Sequence, residues 1–554
     1  DVSSFVPMFS DSELSLAADV NIAGNDDILH VKHLNVHTPD NDMRLNVRAE
    51  VRRPFDNPAI TANVNDLYCD YNVVASLPEN MKKGMADLLP IMEKAGFVGY
   101  KGSISADGNH YEANGMLQSG PGDIDLNLTA NKGLVTLKAA TNAFDLSKIT
   151  AQNNLGNIAA NLDVTCQTVG NDIKTADFNA DISSFEYNGY RYNNISAIGN
   201  YNNGSIDATL KVDDVNANII AKGNLIKTSE GLKTVAEMTI NNLNPSVLRL
   251  TDSQKGRTFK MNISADGIVS NKNPNLFNGI LSLKDVVMTS EDMSYILENI
   301  NISSSNERIA IDGDFGNAVL TGNNAIDNLA ACIRKVVGTR LPSLCKDGGK
   351  TIGDINIEAR LTDTEWAATF LNIPLRLYSD VYLNASYNGK TGVFDMVCNA
   401  DDIEYDGGRY ENIRINGKTI DDTLAINGVL RKMIEGRRWV DLALKASAAN
   451  DKINADVKWK DNKQGVFMGE IGAETQLLNG NGAMPDFKTH LKPSRFVVND
   501  TVWHVKPAEI TSENGNLIIN NFAIEHNKQH LKISGKATKS QEDSILVDLR
   551  DIDV

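Results

Sequence analysis

Apolar and polar residues alternate along this chain with a period of two, and the pattern returns from one end to the other. Residues 123–130 read Asp-Ile-Asp-Leu-Asn-Leu-Thr-Ala, which places Ile124, Leu126, Leu128 and Ala130 on one face of an extended segment. After Asn131-Lys132-Gly133 the pattern resumes with Val135, Leu137 and Ala139. It recurs at Ala208, Leu210 and Val212 and, across Asp213-Asp214, at Val215, Ala217 and Ile219. Met261, Ile263 and Ala265 repeat it, as do Ile355, Ile357, Ala359 and Leu361. So do Val381, Leu383, Ala385 and Tyr387, followed by Met396, Cys398 and Ala400. Such alternation gives each strand one apolar and one solvated face. Parallel strands buried on both faces would instead read as unbroken apolar runs. The chain is therefore expected to be all-β and antiparallel, with one face of the sheet wet.

One phrase is written twice. Residues 184–195 read SFEYNGYRYNNI and residues 402–413 read DIEYDGGRYENI, 218 positions later. Seven positions are identical, among them Gly189/Gly407, Arg191/Arg409, Tyr192/Tyr410 and Asn194/Asn412. An Asn-Gly or Asp-Gly pair between two short β segments is the signature of a tight hairpin, because both turn residues need positive φ. The tyrosines are read as cross-strand pairs, with Arg191 and Arg409 lying over them. A hairpin repeated at long range points to a repetitive β architecture in which each unit stacks on the next.

Strand plus turn should occupy about 10–13 residues, so on the order of 45 strands are expected. So many strands cannot stay one flat sheet, because twist curls them. The economical solution is a long, folded-over antiparallel β-sheet, a trough whose apolar face lies inside. No Pro/Ser/Gly-rich linker divides the chain, and residues 1–554 read as one continuous body. Two helical insertions interrupt it. About 76–96, Ser76-Leu77-Pro78-Glu79 reads as a capping box and Gly96 as a stop, with Leu77, Met81, Met85, Leu88, Leu89 and Met92 at helical spacing. About 324–338, Ile326, Leu329, Ala330, Ile333 and Val337 share one face and Gly338 closes the helix. Each helix reads as ordinary core packing, with a lid over an apolar groove as the other reading.

A net charge of −17 argues against nucleic acid as a partner, since phosphate binding relies on Lys and Arg. Five cysteines are too few for a disulfide scaffold and form no C-x-x-C. Cys332 and Cys345 are close enough in sequence to pair in an oxidising compartment, although two free buried thiols are the better account. There is no signal peptide and no run of 18 apolar residues; the start at Asp1 and the abrupt end suggest a fragment whose anchors lie elsewhere.

No catalytic or metal signature fits the sequence. Gly349-Lys350-Thr351 lacks the glycine of a phosphate-binding loop, since Leu344 stands five positions earlier. His30, His33 and His37 read as solvated strand histidines, with His30 on the opposite face from the other two; His526 and His530 flank a turn. Adjacent acids such as Asp213-Asp214 and Asp401-Asp402 point to opposite faces and cannot act as a catalytic pair. Tryptophans 366, 439, 459 and 503 are too scattered for a stacking platform. The residues suggest no enzyme, no cofactor and no metal site.

Toward the C-terminus the residues match a known pattern. Residues 502–535 carry Trp503, Pro507, Ile510, Gly515, Ile519, Asn521-Phe522, Ile524, Gln529, Leu531, Ile533 and Gly535 in an order that resembles the repeat of TamB-type proteins, particularly those of Bacteroidota. The resembling region spans about 486–554. Residues 97–129, 307–322 and the doubled hairpin are similar to the middle region of the same family. The resemblance implies the AsmA/TamB class of bridge-like proteins, anchored in the inner membrane and crossing the periplasm as a folded-over sheet, the β-taco. It implies phospholipid as the cargo, outer-membrane biogenesis as the process, and an outer-membrane barrel of TamA/BamA type as a partner. Neither a membrane anchor nor a terminal plug is recognisable here.

Read from the residues alone, an apolar stripe inside a solvated shell suits an acyl chain, because each CH₂ kept from water is worth about 0.8 kcal/mol. The candidate lining residues are Ile124, Leu126, Leu128, Leu210, Val212, Ile219, Met261, Ile263, Ile355, Ile357, Leu383, Leu531 and Ile533. Two other expectations stand beside the conduit. One is a structural or chaperone-like scaffold acting through exposed strand edges in outer-membrane protein assembly. The other is a β-solenoid acting on polysaccharide, for which surface carboxylate clusters or aromatic ladders are not evident.

Overall fold

The structure is a computed structural model. It describes residues 15–77, 82, 85–86, 88–170, 172–271, 277–291, 293–322, 325–345, 352–371, 373–434, 438–463, 466–478, 485–538 and 543–551. It is 70% strand and 7% helix, an all-β, folded-over antiparallel sheet with short helices. The described strands number 35, fewer than the alternation suggested. The physical reason is length: Leu155–Val169 runs for 15 residues and Asp172–Tyr187 for 16, so each rung consumes more chain than a typical strand.

The chain forms two units, residues 1–272 with 285–296, and residues 273–284 with 297–554. In the first, fifteen strands from Ala17–Gly24 to Thr258–Ser270 pair antiparallel in chain order as a simple meander. In the second, the meander runs through Arg308–Gly313 and Gly316–Thr321 to Ile545–Arg550, with two broken strands near its end. Lys492-Pro493 splits one strand into Asp486–Leu491 and Ser494–Val498, and Lys506-Pro507 splits another into Thr501–Val505 and Ala508–Glu513. Proline lacks the N–H that a ladder needs, so the break falls there.

A line of bulges bends the rungs. In the first unit the register shifts between Thr141 and Phe144 and between Ile182 and Ser184 on one set of neighbouring rungs, and between Asn218 and Ile219 and between Ile240 and Leu243 on another. In the doubled hairpin the repeated asparagine drops out of the ladder, opposite Ser183 and Asp401 respectively, with φ of 52° at Asn194 and 53° at Asn412. A bulge adds one residue and kinks the strand, and asparagine tolerates the left-handed conformation better than most side chains. The apolar step there is three residues instead of two. Tyr192 and Ile195 thus keep to one face opposite Phe185 and Ile182, and Tyr410 and Ile413 do so opposite Ile403 and Ala400. The turns are as the sequence suggests, with positive φ at Asn188-Gly189 and at Asp406-Gly407. The arginines are not. Arg191 donates to Ser184 Oγ at 3.0 Å, and Arg409 pairs with Asp402 while lying over Tyr378. Hydrogen bonding to the cross-strand residue of the same face satisfies the guanidinium better than a ring on the other face.

The first helical insertion differs from its expected form. Ser76 closes the helix Tyr71–Ala75 instead of opening one, and Asp70 supplies the N-cap through Asn72 N. A second short helix, Leu89–Ala95, carries Pro90 in its first turn and ends at Gly96, φ 75°. Pro78, Glu79 and Met81 of the expected box and stripe lie outside the described residues. The other expected helix is present as Ala325–Gly338, and Leu146–Thr150 and Glu365–Leu371 add two more.

Candidate functional site

Residues directly opposite each other in an antiparallel pair point to the same face, so the register traces a face from strand to strand. In the first unit one such row begins at Val20 and passes through Leu34, Val47, Val64 and the facing glycines Gly102 and Gly115. It continues through Leu126, Ala139, Leu162, Ala180, Ala197, Leu210, Ala221 and Met238 to Ile263. Fifteen strands contribute, and none places a polar side chain in the row. The neighbouring row runs from Ile22 through Val31, Ala49, Ala62, Ile104, Ala113, Leu128 and Leu137 to Val164, Phe178 and finally Ala265, again without a polar residue.

The other face is the converse. From Arg48 a row runs through Asn63, Ser103, Asn114, Asn127, Lys138, Asp163, Asn179, Ile198, Thr209, Lys222 and Glu237 to Ser264. Cross-strand ion pairs such as Lys138–Asp163, at 3.3 Å, tie it together. The alternation read in the sequence is thus a property of whole faces.

All thirteen candidate lining residues fall on the apolar face of their own unit. Ile124 to Ile263 do so in the first, and Ile355, Ile357, Leu383, Leu531 and Ile533 in the second. In the second unit the corresponding row joins Ile302, Ile311, Ala318, Ala359, Leu383, Cys398, Ile415, Gly428, Leu444, Val457 and Ile471. Leu162, Phe178 and Met238 belong to the lane and were not singled out by sequence. Their alternation was masked by the small residues beside them. The glycines carry no apolar signal at all, yet a Cβ on Gly102 would come within 2.2 Å of the Asn114 carbonyl oxygen.

Burial divides the apolar face lengthwise. At the bulge line Val212 is 9% exposed and Ile240 5%, whereas Leu210, two residues from Val212, is 40% exposed. Val212 and Ala217 pack with Leu248, Tyr190, Tyr192 and Ile219, and the helices Tyr71–Ala75, Leu89–Ala95 and Leu146–Thr150 lie at the same strand ends. One side of the face is sealed by its own side chains; on the other, Val20 and Leu210 are accessible while Val64 is buried.

The sealed side contains one buried carboxylate. Asp214 accepts hydrogen bonds from Tyr190 Oη at 2.6 Å, Asn216 N at 2.9 Å, and Asn193 N and Nδ2 at 3.0 and 3.1 Å. Burial alone would push its carboxyl up, but those donors together hold it below the usual value. Burial and the neighbouring carboxylate push the Tyr190 hydroxyl up.

In the second unit the apolar face is partly occupied. Cys332 and Val336 of the helix Ala325–Gly338 pack against Ile352, Ile355, Tyr387 and Leu424, with Ile357 and Phe394 beside them. Ile355 is only 3% exposed, so this candidate is covered by the helix, while Ile357 stays half-buried at its edge.

Concavities of about 680 and 660 Å³ lie mainly over the polar face, at Lys458, Glu470 and Arg495 and at Asp163, Asn179 and Lys222. Some of their charges pair across strands, as in Lys458–Glu470 at 3.1 Å and Lys138–Asp163 at 3.3 Å, in the manner of the solvated folds of a twisted sheet. His30, His33 and His37 all face this polar side, because the register shift between Val31 and Leu34 inverts the alternation that put His30 on the other face. Among the described residues no group of three or more His, Cys, Asp or Glu could hold a metal ion, and no described helix is long and apolar enough to cross a membrane. No protein family, no curated protein and no solved structure matches this chain.

Proposed function

We propose that the apolar lane of each unit holds phospholipid acyl chains, and that the chain is a periplasmic segment of a bridge of the AsmA/TamB type conducting lipid between inner and outer membranes. The observation that carries this reading is the unbroken row from Val20 to Ile263, fifteen strands without a polar side chain. An acyl chain needs no hydrogen bonds and gains about 0.8 kcal/mol for each CH₂ kept from water. Passage along a lane requires binding that is nearly even from rung to rung, and a row of Leu, Ile, Val, Met, Ala and Gly supplies that. The accessible side at Leu210 gives a headgroup a place in water while the tail lies on the face. Mass spectrometry of lipid retained by the purified chain tests the reading. Retained phospholipid supports it, and a lipid-free protein that takes up none from vesicles counts against it.

A second reading has one observation of its own. Every residue of the strand Ile545–Arg550 is exposed, with Leu546 at 66% and Leu549 at 59%. A strand of that kind offers backbone pairing to an incoming strand, as a scaffold for outer-membrane protein assembly with a TamA/BamA-type barrel would require. Glutamate at Leu210 would reduce the lipid held by the first unit and leave strand pairing intact, which separates the two.

A further inference from the structure

Two buried carboxylates lie on the apolar faces, and the fold treats them in opposite ways. Asp214 receives four hydrogen bonds. Asp461, also 4% exposed, accepts none from any described residue at either oxygen. Its nearest described cation is Arg438, whose Nη2 stands 3.7 Å away. Arg438 Nε and Trp459 Nε1 are buried close by in the ladder and also lack described acceptors. Acceptors without donors and donors without acceptors therefore sit together. A purely structural cluster would pair them, as the surroundings of Asp214 do, because each unpartnered buried polar group costs free energy.

The position of the cluster is as specific as its chemistry. Asp461 stands opposite Val440, and Trp459 stands opposite Leu442 and Gly469, on the apolar face of the second unit. A Cβ on Gly469 would fall 2.6 Å from the Trp459 ring and 2.4 Å from Phe496 Cβ, so the glycine makes room for the indole. The apolar row Phe496–Gly469–Trp459–Leu442 thus lies beside a carboxylate, a guanidinium and an N–H donor.

We propose that Asp461, Arg438 and Trp459 bind a zwitterionic group carrying an ammonium and a phosphate, of phosphoethanolamine type. The ammonium donates to Asp461. Arg438, whose side chain is 39% exposed and held among the described residues only by the long contact to Asp461, turns to the phosphate. Trp459 Nε1 donates to a phosphate or ester oxygen, and an attached acyl chain lies along Leu442 and Phe496. One cation replaces another at the carboxylate, so no charge is left buried and bare. The lipid form of this ligand rests on the conduit reading; the free zwitterion does not.

The test uses the full chain and vesicles of phosphatidylethanolamine and phosphatidylglycerol in equal amounts, with bound lipid measured by mass spectrometry after the protein is re-isolated. The ethanolamine lipid should be enriched roughly tenfold, the worth of one charge-assisted hydrogen bond. Asp461→Asn and Arg438→Gln should bring the bound mixture to the vesicle composition with total lipid unchanged. Asp461→Leu, which removes the buried charge without leaving a polar group, should fold and give the same result. Equal enrichment in the wild type and Asp461→Leu, or none in the wild type, overturns the proposal. If no lipid binds to any variant the conduit reading fails, and free phosphoethanolamine then decides for the site. A rise in Tm in the wild type that Asp461→Leu loses upholds it, and no rise overturns it.

Discussion

Asn194 and Asn412, 218 positions apart, hold the same left-handed backbone, φ 52° and 53°, at the same place in two copies of one hairpin. Each drops out of the hairpin ladder and lets the apolar face step by three. The repeated asparagine thus serves to set the step of the apolar face in both copies. Glycine at either position should be tolerated. Valine, whose β-branch resists positive φ, should destabilise by about 1–3 kcal/mol. Chemical denaturation of Asn194→Gly and Asn194→Val measures the difference.

Leu210 and Ile240 separate lane from seal. Both are apolar and on one face, but Leu210 is 40% exposed and Ile240 5%. Leu210→Glu should leave the circular dichroism spectrum and unfolding midpoint near those of the wild type while reducing the lipid that the chain retains. Ile240→Glu should cost about 3 kcal/mol or more, because it buries a charge without a partner.

Asp214 sets a pH dependence. Its carboxyl is held below its ordinary value of 3.8, since the donors Tyr190, Asn216 and Asn193 outweigh burial. A depressed folded-state value contributes stability that is complete above the unfolded value and is lost as pH falls toward the folded one. Asp214→Asn should therefore cost about 1–3 kcal/mol at neutral pH. Its deficit relative to the wild type should shrink below about pH 4. Denaturation midpoints across pH 2–7 check this; a deficit that stays constant would contradict the assignment.

Cys332 reports on the helix Ala325–Gly338. The thiol is buried against Ile355 and Leu424, and burial pushes it up. Alkylation should accordingly be slow at mildly alkaline pH. Val336→Asp, which places a charge in the same contact, should release the helix and speed the reaction by about tenfold or more. Unchanged alkylation would mean the helix is held by contacts other than those of Val336.

Much of this was legible in sequence because period two is a property of single strands. Leu126, Leu210 and Ile263 declare their face locally, and the register then aligns them. Where a bulge intervenes the local rule fails. His30 lies on the same face as His33 only because of the shift at Val31, and no pattern within the strand announces it. The covering of Ile355 was hidden for another reason. Which apolar residues a helix covers depends on contacts made far along the chain, and alternation says nothing of them. The polar cluster at Asp461 was equally silent, since a single aspartate at a strand end resembles any other until its partners are counted.

If one face of the sheet holds acyl chains and the other does not, adjacent residues of one strand should meet different surroundings. Leu210 and Lys211 are adjacent and point to opposite faces, paired with Ala221 and Ile220 respectively. A photo-reactive residue placed at each position in turn, in cells producing the chain, followed by mass spectrometry of the adducts, distinguishes the two faces. Phospholipid adducts at 210 and essentially none at 211 are expected. Equal adducts at both positions, or none at 210, would contradict it.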